Sequence, residues 1–166
     1  MKRILLTGLS GTGKTTVIHA LAARGYKAVD ADCDDYSHWV AVTADMAAAG
    51  TPVEPHRDWV WREEHMAALL ATEDADILFV SGTAPNMGQF LPQFNHVILL
   101  SAPIDLIVER LATRTTNSYG KQPEEITRVI ALVASVEPLL RRIADQEIDT
   151  SAPLDEVVAR VLAITG

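Results

Sequence analysis

Three observations predict a three-layer α/β fold, a parallel sheet with helices on both faces. Strand-sized apolar runs alternate with segments of helical composition along the whole chain, the pattern of βαβ units. Residues Gly8 to Thr15 read Gly-Leu-Ser-Gly-Thr-Gly-Lys-Thr, the form G-x-x-x-x-G-K-[ST], set between an apolar strand and a helix. The chain has 166 residues, 48% of them hydrophobic, enough for one domain with a substantial core.

The elements follow in order. Lys2–Thr7 is an apolar strand leading into the loop, and Thr16–Arg24 follows as a helix whose positive N-terminal end faces the same anion as the loop. Gly25 closes that helix and Tyr26–Asp30 forms a second strand. Asp34 to Ala49 is helical in composition and stops at Gly50, and the two prolines of residues 51–56 make a loop. Asp58 is placed to cap a helix running to about Thr72. Ile77–Ser81 is a buried strand, Gly82–Gln93 a turn with one short helix, and His96–Ser101 another strand. Pro103 starts a helix to about Thr113. Residues 115–120 are polar and end in glycine, the composition of a mobile loop, and Pro123 opens a long helix to about Ala144. A last short strand surrounds Ile148, and Pro153 starts the closing helix. Five strands result, in a single domain spanning residues 1–166 with no repeats and no linker.

The loop fixes a ligand class. Glycines let the backbone wrap an anion with successive N–H groups pointing inward, so Gly8, Ser10, Gly11, Thr12, Gly13 and Thr16 are candidate phosphate contacts. Lys14 can reach the terminal phosphates and the Thr15 hydroxyl can sit on Mg²⁺. Asp30 and Asp32 stand two apart at the end of a strand, a spacing that suits one carboxylate for the water shell of the metal and one for an acceptor hydroxyl. Net charge is −8 with no Lys/Arg stripe, which argues against nucleic acid as a partner. Runs such as Ile77–Val80 are too short to cross a bilayer and the first residues enter a strand directly, so a cytoplasmic protein without membrane contact is expected. Cys33 is the only cysteine and the five histidines lack ligand spacing, so neither a disulfide nor a zinc site is expected.

The chain resembles the small P-loop kinases, including shikimate, gluconate and adenylate kinases. The resemblance rests on Gly8–Thr15, Asp30-Ala-Asp32, Trp61-Arg62, Ser81-Gly82-Thr83, the Arg110-x-x-x-Arg114 spacing and Asp149–Pro153, in that order along nearly the whole chain. It implies sheet order 2-3-1-4-5, ATP at the carboxyl ends of the strands, an acceptor-binding segment at about residues 32–72 and a lid at about 114–122. It also implies a metal role for Asp30 and an acceptor role for Asp32, whereas Arg62 and Gly82 would bind the acceptor. Arg110 would stack on adenine opposite Pro153. Arg114 is the better candidate to neutralise charge on the transferred phosphoryl group. No Asn-Lys-x-Asp tetrad marks a GTPase, and no acidic pair ending a strand marks a motor-type ATPase.

Two departures bear on the acceptor. Val136 stands where the resemblance to shikimate kinase calls for the arginine that holds the shikimate carboxylate. Ser81-Gly82-Thr83-Ala84-Pro85 replaces the Asp-Gly-x-Pro-Arg that grips a nucleoside monophosphate in adenylate kinase. Tyr36, Trp39, Trp59 and Trp61 either line an acceptor pocket or pack the core, and Tyr119 and Lys121 fall in the lid. The reading favoured by these residues is an ATP- and Mg²⁺-dependent kinase for a small hydroxyl-bearing metabolite, monomeric or homodimeric. The alternatives are a nucleoside or nucleoside-monophosphate kinase, and an ATP-binding switch module acting on a protein partner.

Overall fold

The computed structural model describes residues 1–50, 52–115 and 119–166. The expected lid therefore includes Thr116, Asn117 and Ser118, which lie outside the described residues, as does Thr51 of the proline-rich loop.

Strand β1 (Lys2–Thr7) lies at the centre of a five-stranded parallel sheet, followed by α1 (Lys14–Ala23) and β2 (Lys27–Asp30). Next come β3 (Ser37–Ala41), α2 (Ala44–Ala49), β4 (Arg57–Trp61) and α3 (Glu63–Leu70). Strand β5 (Ile77–Ser81) leads to a 3₁₀ turn at Met87–Gln93, then β6 (His96–Ser101) and α4 (Ile104–Thr113). The chain ends with α5 (Pro123–Ser135), α6 (Glu137–Ile143), β7 (Gln146–Asp149) and α7 (Leu154–Thr165).

The sheet runs β2-β5-β1-β6-β7, every pair parallel. Counting only these five strands in chain order gives the expected 2-3-1-4-5. The labels differ because an unexpected antiparallel pair, β3-β4, intervenes in the chain as a separate two-stranded sheet. Side-chain alternation along the central strands feeds two cores. Leu5, Leu78, Val80 and Leu99 join Met66, Leu70, Leu132 and Leu140 on one face. Ile4, Leu6, Phe79 and Ile98 meet Val17, Leu21, Val158 and Val161 on the other. A sheet buried on both faces explains why these strands read as continuous apolar runs.

Three expectations are corrected. Residues 34–49 form β3 and the six-residue α2 rather than one helix. In β3, Trp39 pairs with Trp59 across the hairpin at a ring separation of 4.9 Å, a cross-strand contact that outweighs the helical composition around it. Asp58 is no helix cap: it sits in β4, 1% exposed, and its Oδ1 accepts from the backbone N–H groups of Val53 and Trp59. The helix expected from Pro123 to Ala144 breaks at Val136 into α5 and α6, because Pro138 has no N–H to donate and its ring crowds the preceding turn.

Candidate functional site

The loop after β1 is shaped by positions that only glycine can fill. A Cβ on Gly8 (φ +152°) would lie 2.3 Å from the Leu100 carbonyl oxygen, and one on Gly11 (φ +84°) 2.9 Å from Ile107 Cγ2. Gly13 (φ 93°) caps α1 with no side-chain bond, which leaves the first N–H groups of that helix for an anion. Thr12 is fully buried and its hydroxyl donates to the Leu9 carbonyl at 2.8 Å. Lys14 folds back, donating to the carbonyls of Gly8 at 2.5 Å and Leu9 at 3.0 Å. Burial lowers the Lys14 pKa, against the opposing charges of Asp32 and Asp30.

Strand β2 delivers the carboxylates. Asp30 Oδ2 accepts from the Thr15 hydroxyl at 3.0 Å, and its Oδ1 accepts from the Asp32 amide at 2.9 Å and the Ser81 hydroxyl at 3.2 Å. Thr15 and Asp30 thus form an oxygen pair beside the loop, the hard donor set a magnesium ion takes. Thr83, beyond the end of β5, closes the other side. Its hydroxyl donates to the Gly8 carbonyl at 2.6 Å, lies 3.1 Å from the Gly8 amide nitrogen as its acceptor, and sits 2.8 Å from the Thr7 hydroxyl.

Two cavities meet over this loop. The smaller, about 510 Å³, runs along the start of α1 and is lined by Gly13, Thr15, Thr16, Arg110 and Arg114 among others. Arg110 donates to the Thr150 hydroxyl at 2.9 Å, the Thr150 carbonyl at 2.7 Å and the Gly11 carbonyl at 3.3 Å. Thr150 in turn donates to the Thr12 carbonyl at 2.7 Å, so Arg110 and Thr150 tie the turn after β7 to the loop. Pro153 caps α7 at the edge of this cavity, between the lining residues Ala152 and Leu154. Arg114 ends α4 and donates to the Tyr119 carbonyl at 2.7 Å. Its partial burial lowers its pKa and the charge of Asp32 opposes that shift.

The larger cavity, about 630 Å³, opens on the other side of Lys14. Ser10, Lys14 and Asp32 line both cavities and so mark the boundary where the two adjoin. The hairpin contributes Trp39, Arg57, Asp58 and Trp59, and α5 and α6 contribute Val129, Leu132, Val136 and Leu140. Arg57 lies 3.8 Å over the Trp39 ring and donates to both oxygens of Glu54, at 2.5 and 3.2 Å. Tyr119 donates from its hydroxyl to the Val53 carbonyl at 3.3 Å, and burial pushes its pKa up to about 12. Lys121 is exposed and donates to the Ala112 carbonyl at 2.8 Å, away from both cavities.

The structure divides the remaining candidates. Trp39 and Trp59 line the larger cavity, whereas Trp61 is 1% exposed and packs on Phe90, and Tyr36 leans on the same core. Arg62 lies outside the lining of both cavities and donates from Nε to the Asp34 carbonyl at 2.9 Å. Gly82 also lies off the cavity, where a Cβ would come 3.0 Å from Trp61 Nε1. Sequence reasoning missed Asp58 and Thr150 as members of the site and Thr83 as the residue that braces the loop. Only the Ser81-Gly82-Thr83 and Asp149–Pro153 segments had signalled two of them.

Known proteins share this fold. A family described as an AAA domain matches residues 4–131, although β5 ends in Ser81 with no acidic pair. No curated protein sequence matches the chain. Shikimate kinase from Acinetobacter baumannii, solved in complex with shikimate, superposes with TM-score 0.66 at 21% identity, over 99% of this chain and 93% of that one. Shikimate kinase from Bacteroides thetaiotaomicron gives TM-score 0.67 at 18% identity, over 99% and 98%. A sugar kinase from Janibacter sp. gives 0.55 at 18%, over 98% and 93%. The chain belongs to the family described as an AAA domain, and its fold is that of the small P-loop kinases.

Proposed function

We propose that the protein is a kinase that transfers the γ-phosphoryl group of ATP to a hydroxyl of a small molecule. The observation that carries this reading is the junction of two cavities at Ser10, Lys14 and Asp32. A donor bound against the loop and α1 and an acceptor in the larger cavity would face each other across Lys14 and Asp32.

Each residue then has a task. The loop amides and Lys14 bind the β- and γ-phosphates, and Lys14 exchanges its two carbonyl contacts for phosphate oxygens. Thr15 and Asp30 would hold Mg²⁺, which when bound offsets charge on the phosphate oxygens. Asp32 accepts the proton of the acceptor hydroxyl as its oxygen bonds to the γ-phosphorus. The bond from that phosphorus to the bridging oxygen breaks, and ADP leaves with the bond's electron pair. Arg114 stabilises the charge on the transferring group from the side opposite the loop. Arg110 and Thr150 fix the floor of the donor cavity, with Pro153 at its rim.

Acceptor-dependent ADP release, measured beside ATP binding, tests the reading. Lys14→Ala is expected to weaken ATP binding at least tenfold. Asp32→Asn is expected to keep ATP affinity within about threefold and to lower transfer by about 10²–10⁴-fold, the range of a lost general base. A protein-directed ATP switch would leave Asp32→Asn nearly indifferent, and that outcome would overturn the assignment.

A further inference from the structure

The larger cavity is built for a particular kind of acceptor. Its walls are chiefly apolar, with Trp39 and Trp59 on the hairpin side and Val129, Leu132, Val136 and Leu140 on the helical side. At about 630 Å³ it falls in the range of roughly 300–1,000 Å³ that takes drug-sized ligands. Hydrocarbon on both sides favours an acceptor with apolar bulk over a polyol, whose hydroxyls would lose water against those walls.

Charge narrows the class further. Among the described residues only Lys14 and Arg57 bring basic side chains to this cavity, against Asp32, Glu54, Asp58 and Glu125. Lys14 belongs to the phosphate loop, and Arg57 is bound by Glu54 and stacked on Trp39. Glu125 accepts the amides of Gly120 and Gln122. Asp58 is different. It is 1% exposed, and its Oδ2 has no hydrogen-bond partner. Arg128 acts on it through its charge and partly offsets the cost of burial, while the Arg128 guanidinium makes its hydrogen bonds to the Pro52 carbonyl, at 2.9 and 2.6 Å. The buried indole Nε1 of Trp59 is also unpartnered. Of three such buried atoms among the described residues, two therefore belong to neighbouring residues of this cavity wall. Buried polar atoms without partners are rare in folded proteins and call for an explanation.

We propose that the acceptor is a bulky apolar alcohol carrying a positive charge, an amphiphilic amino alcohol, selected by the buried carboxylate of Asp58, whose Oδ2 has no hydrogen-bond partner, and by the apolar wall. The assignment rests on the larger cavity being the acceptor site of a kinase. An ammonium group in this cavity would meet the negative potential that Asp58 sets up in a low-dielectric wall, whereas a carboxylate would meet it without a free cation to balance it. Asp58 is a specificity-determining residue in this account, acting through its charge, while Asp32 keeps the reacting hydroxyl.

Calorimetric titration of the full chain with three phenyl-bearing alcohols of matched size tests the class: phenylalaninol (cationic), phenylpropanol (neutral) and phenyllactate (anionic). Phenylalaninol is expected to bind at least tenfold more tightly than phenylpropanol, and phenyllactate most weakly. Asp58→Asn should bring the first two within about twofold of each other. Because that substitution touches a buried group, Val136→Arg serves as an independent variant: a cation in the wall should strengthen phenyllactate and weaken phenylalaninol, each about tenfold. Equal or tighter binding of phenyllactate to the unmodified protein overturns the proposal, as does failure of all three to bind at millimolar concentration. ADP release measured on the same samples separates the two levels. Amine-selective binding without ADP release removes the kinase reading and keeps the ligand class. ADP release driven by shikimate or gluconate, with no amine selectivity, does the reverse.

Discussion

Gly8 shows how much of the site is decided by a missing side chain. Its carbonyl receives both Lys14 Nζ and the Thr83 hydroxyl, and its amide points at the same hydroxyl, so one residue joins the loop, the lysine and the end of β5. A methyl group there would be forced to 2.3 Å from the Leu100 carbonyl oxygen and 2.8 Å from Thr12 Oγ1, both inside the packed centre of the sheet edge. Gly8→Ala is therefore expected to lower ATP affinity more than tenfold and to destabilise the fold by about 2 kcal/mol or more, through both the clash and the positive φ. Calorimetric ATP titration and thermal denaturation check the two halves separately. Gly8, Lys14, Thr15 and the Asp30–Asp32 pair were legible because a local motif holds them at fixed spacing. Asp58 and Thr150 were not, since what they do depends on Val53, Thr12 and Arg110, partners distant in sequence or supplied only by the tertiary fold.

The strand–helix alternation could be read at the scale of elements wherever the central sheet buries both faces of a strand. It failed over residues 34–61, where the β3-β4 hairpin stands apart from that sheet. Here a strand is defined by its neighbour across the ladder, Trp39 against Trp59 and His38 against Val60, and no local periodicity announces the pairing. The hairpin places Trp39, Trp59 and Asp58 on the larger cavity, so the segment hardest to read is also the one that would select the acceptor. Trp39 is 41% exposed and carries the Arg57 guanidinium on its ring. Trp39→Ala should then cost the fold only about 1 kcal/mol, because little buried area is lost beyond the ring pair. It should raise the acceptor KM about tenfold and leave the ATP KM within about twofold. Steady-state kinetics varying each substrate in turn would show this split, and an equal rise in both constants would place the hairpin in general stability instead.

Across the whole molecule, the sheet order puts the phosphate loop at the carboxyl end of the central strand, between β5 and β6, where an open parallel sheet offers a crevice to ligands. The same fold sets opposing electrostatic demands. Glu147 and Asp149 are held below the usual carboxylate range, Glu147 by its bonds to Arg141 and Asp149 by Ser151, and Glu73 and Asp74 by the N-terminal amine and Lys27. Their contributions are present above the unfolded carboxylate pKa values and are lost as pH falls through the folded ones; exposure to solvent keeps each small. Asp58 runs the other way. Burial raises its pKa, partly offset by the Val53 and Trp59 amides, so the folded state binds its proton more tightly than the unfolded chain does. The stability from that proton is fully present below the unfolded value of about 3.9 and is lost as pH rises through the raised folded value. Asp58→Asn keeps an oxygen for the two amides and removes the charge. The melting temperature of the variant minus that of the unmodified protein should therefore increase as pH rises above about 4 and level off once Asp58 is ionised in the fold. A difference that stays flat as pH rises would mean that Asp58 ionises in the fold as easily as in the unfolded chain, its carboxylate already fully stabilised by its protein neighbours, with nothing left for a cationic ligand to offset.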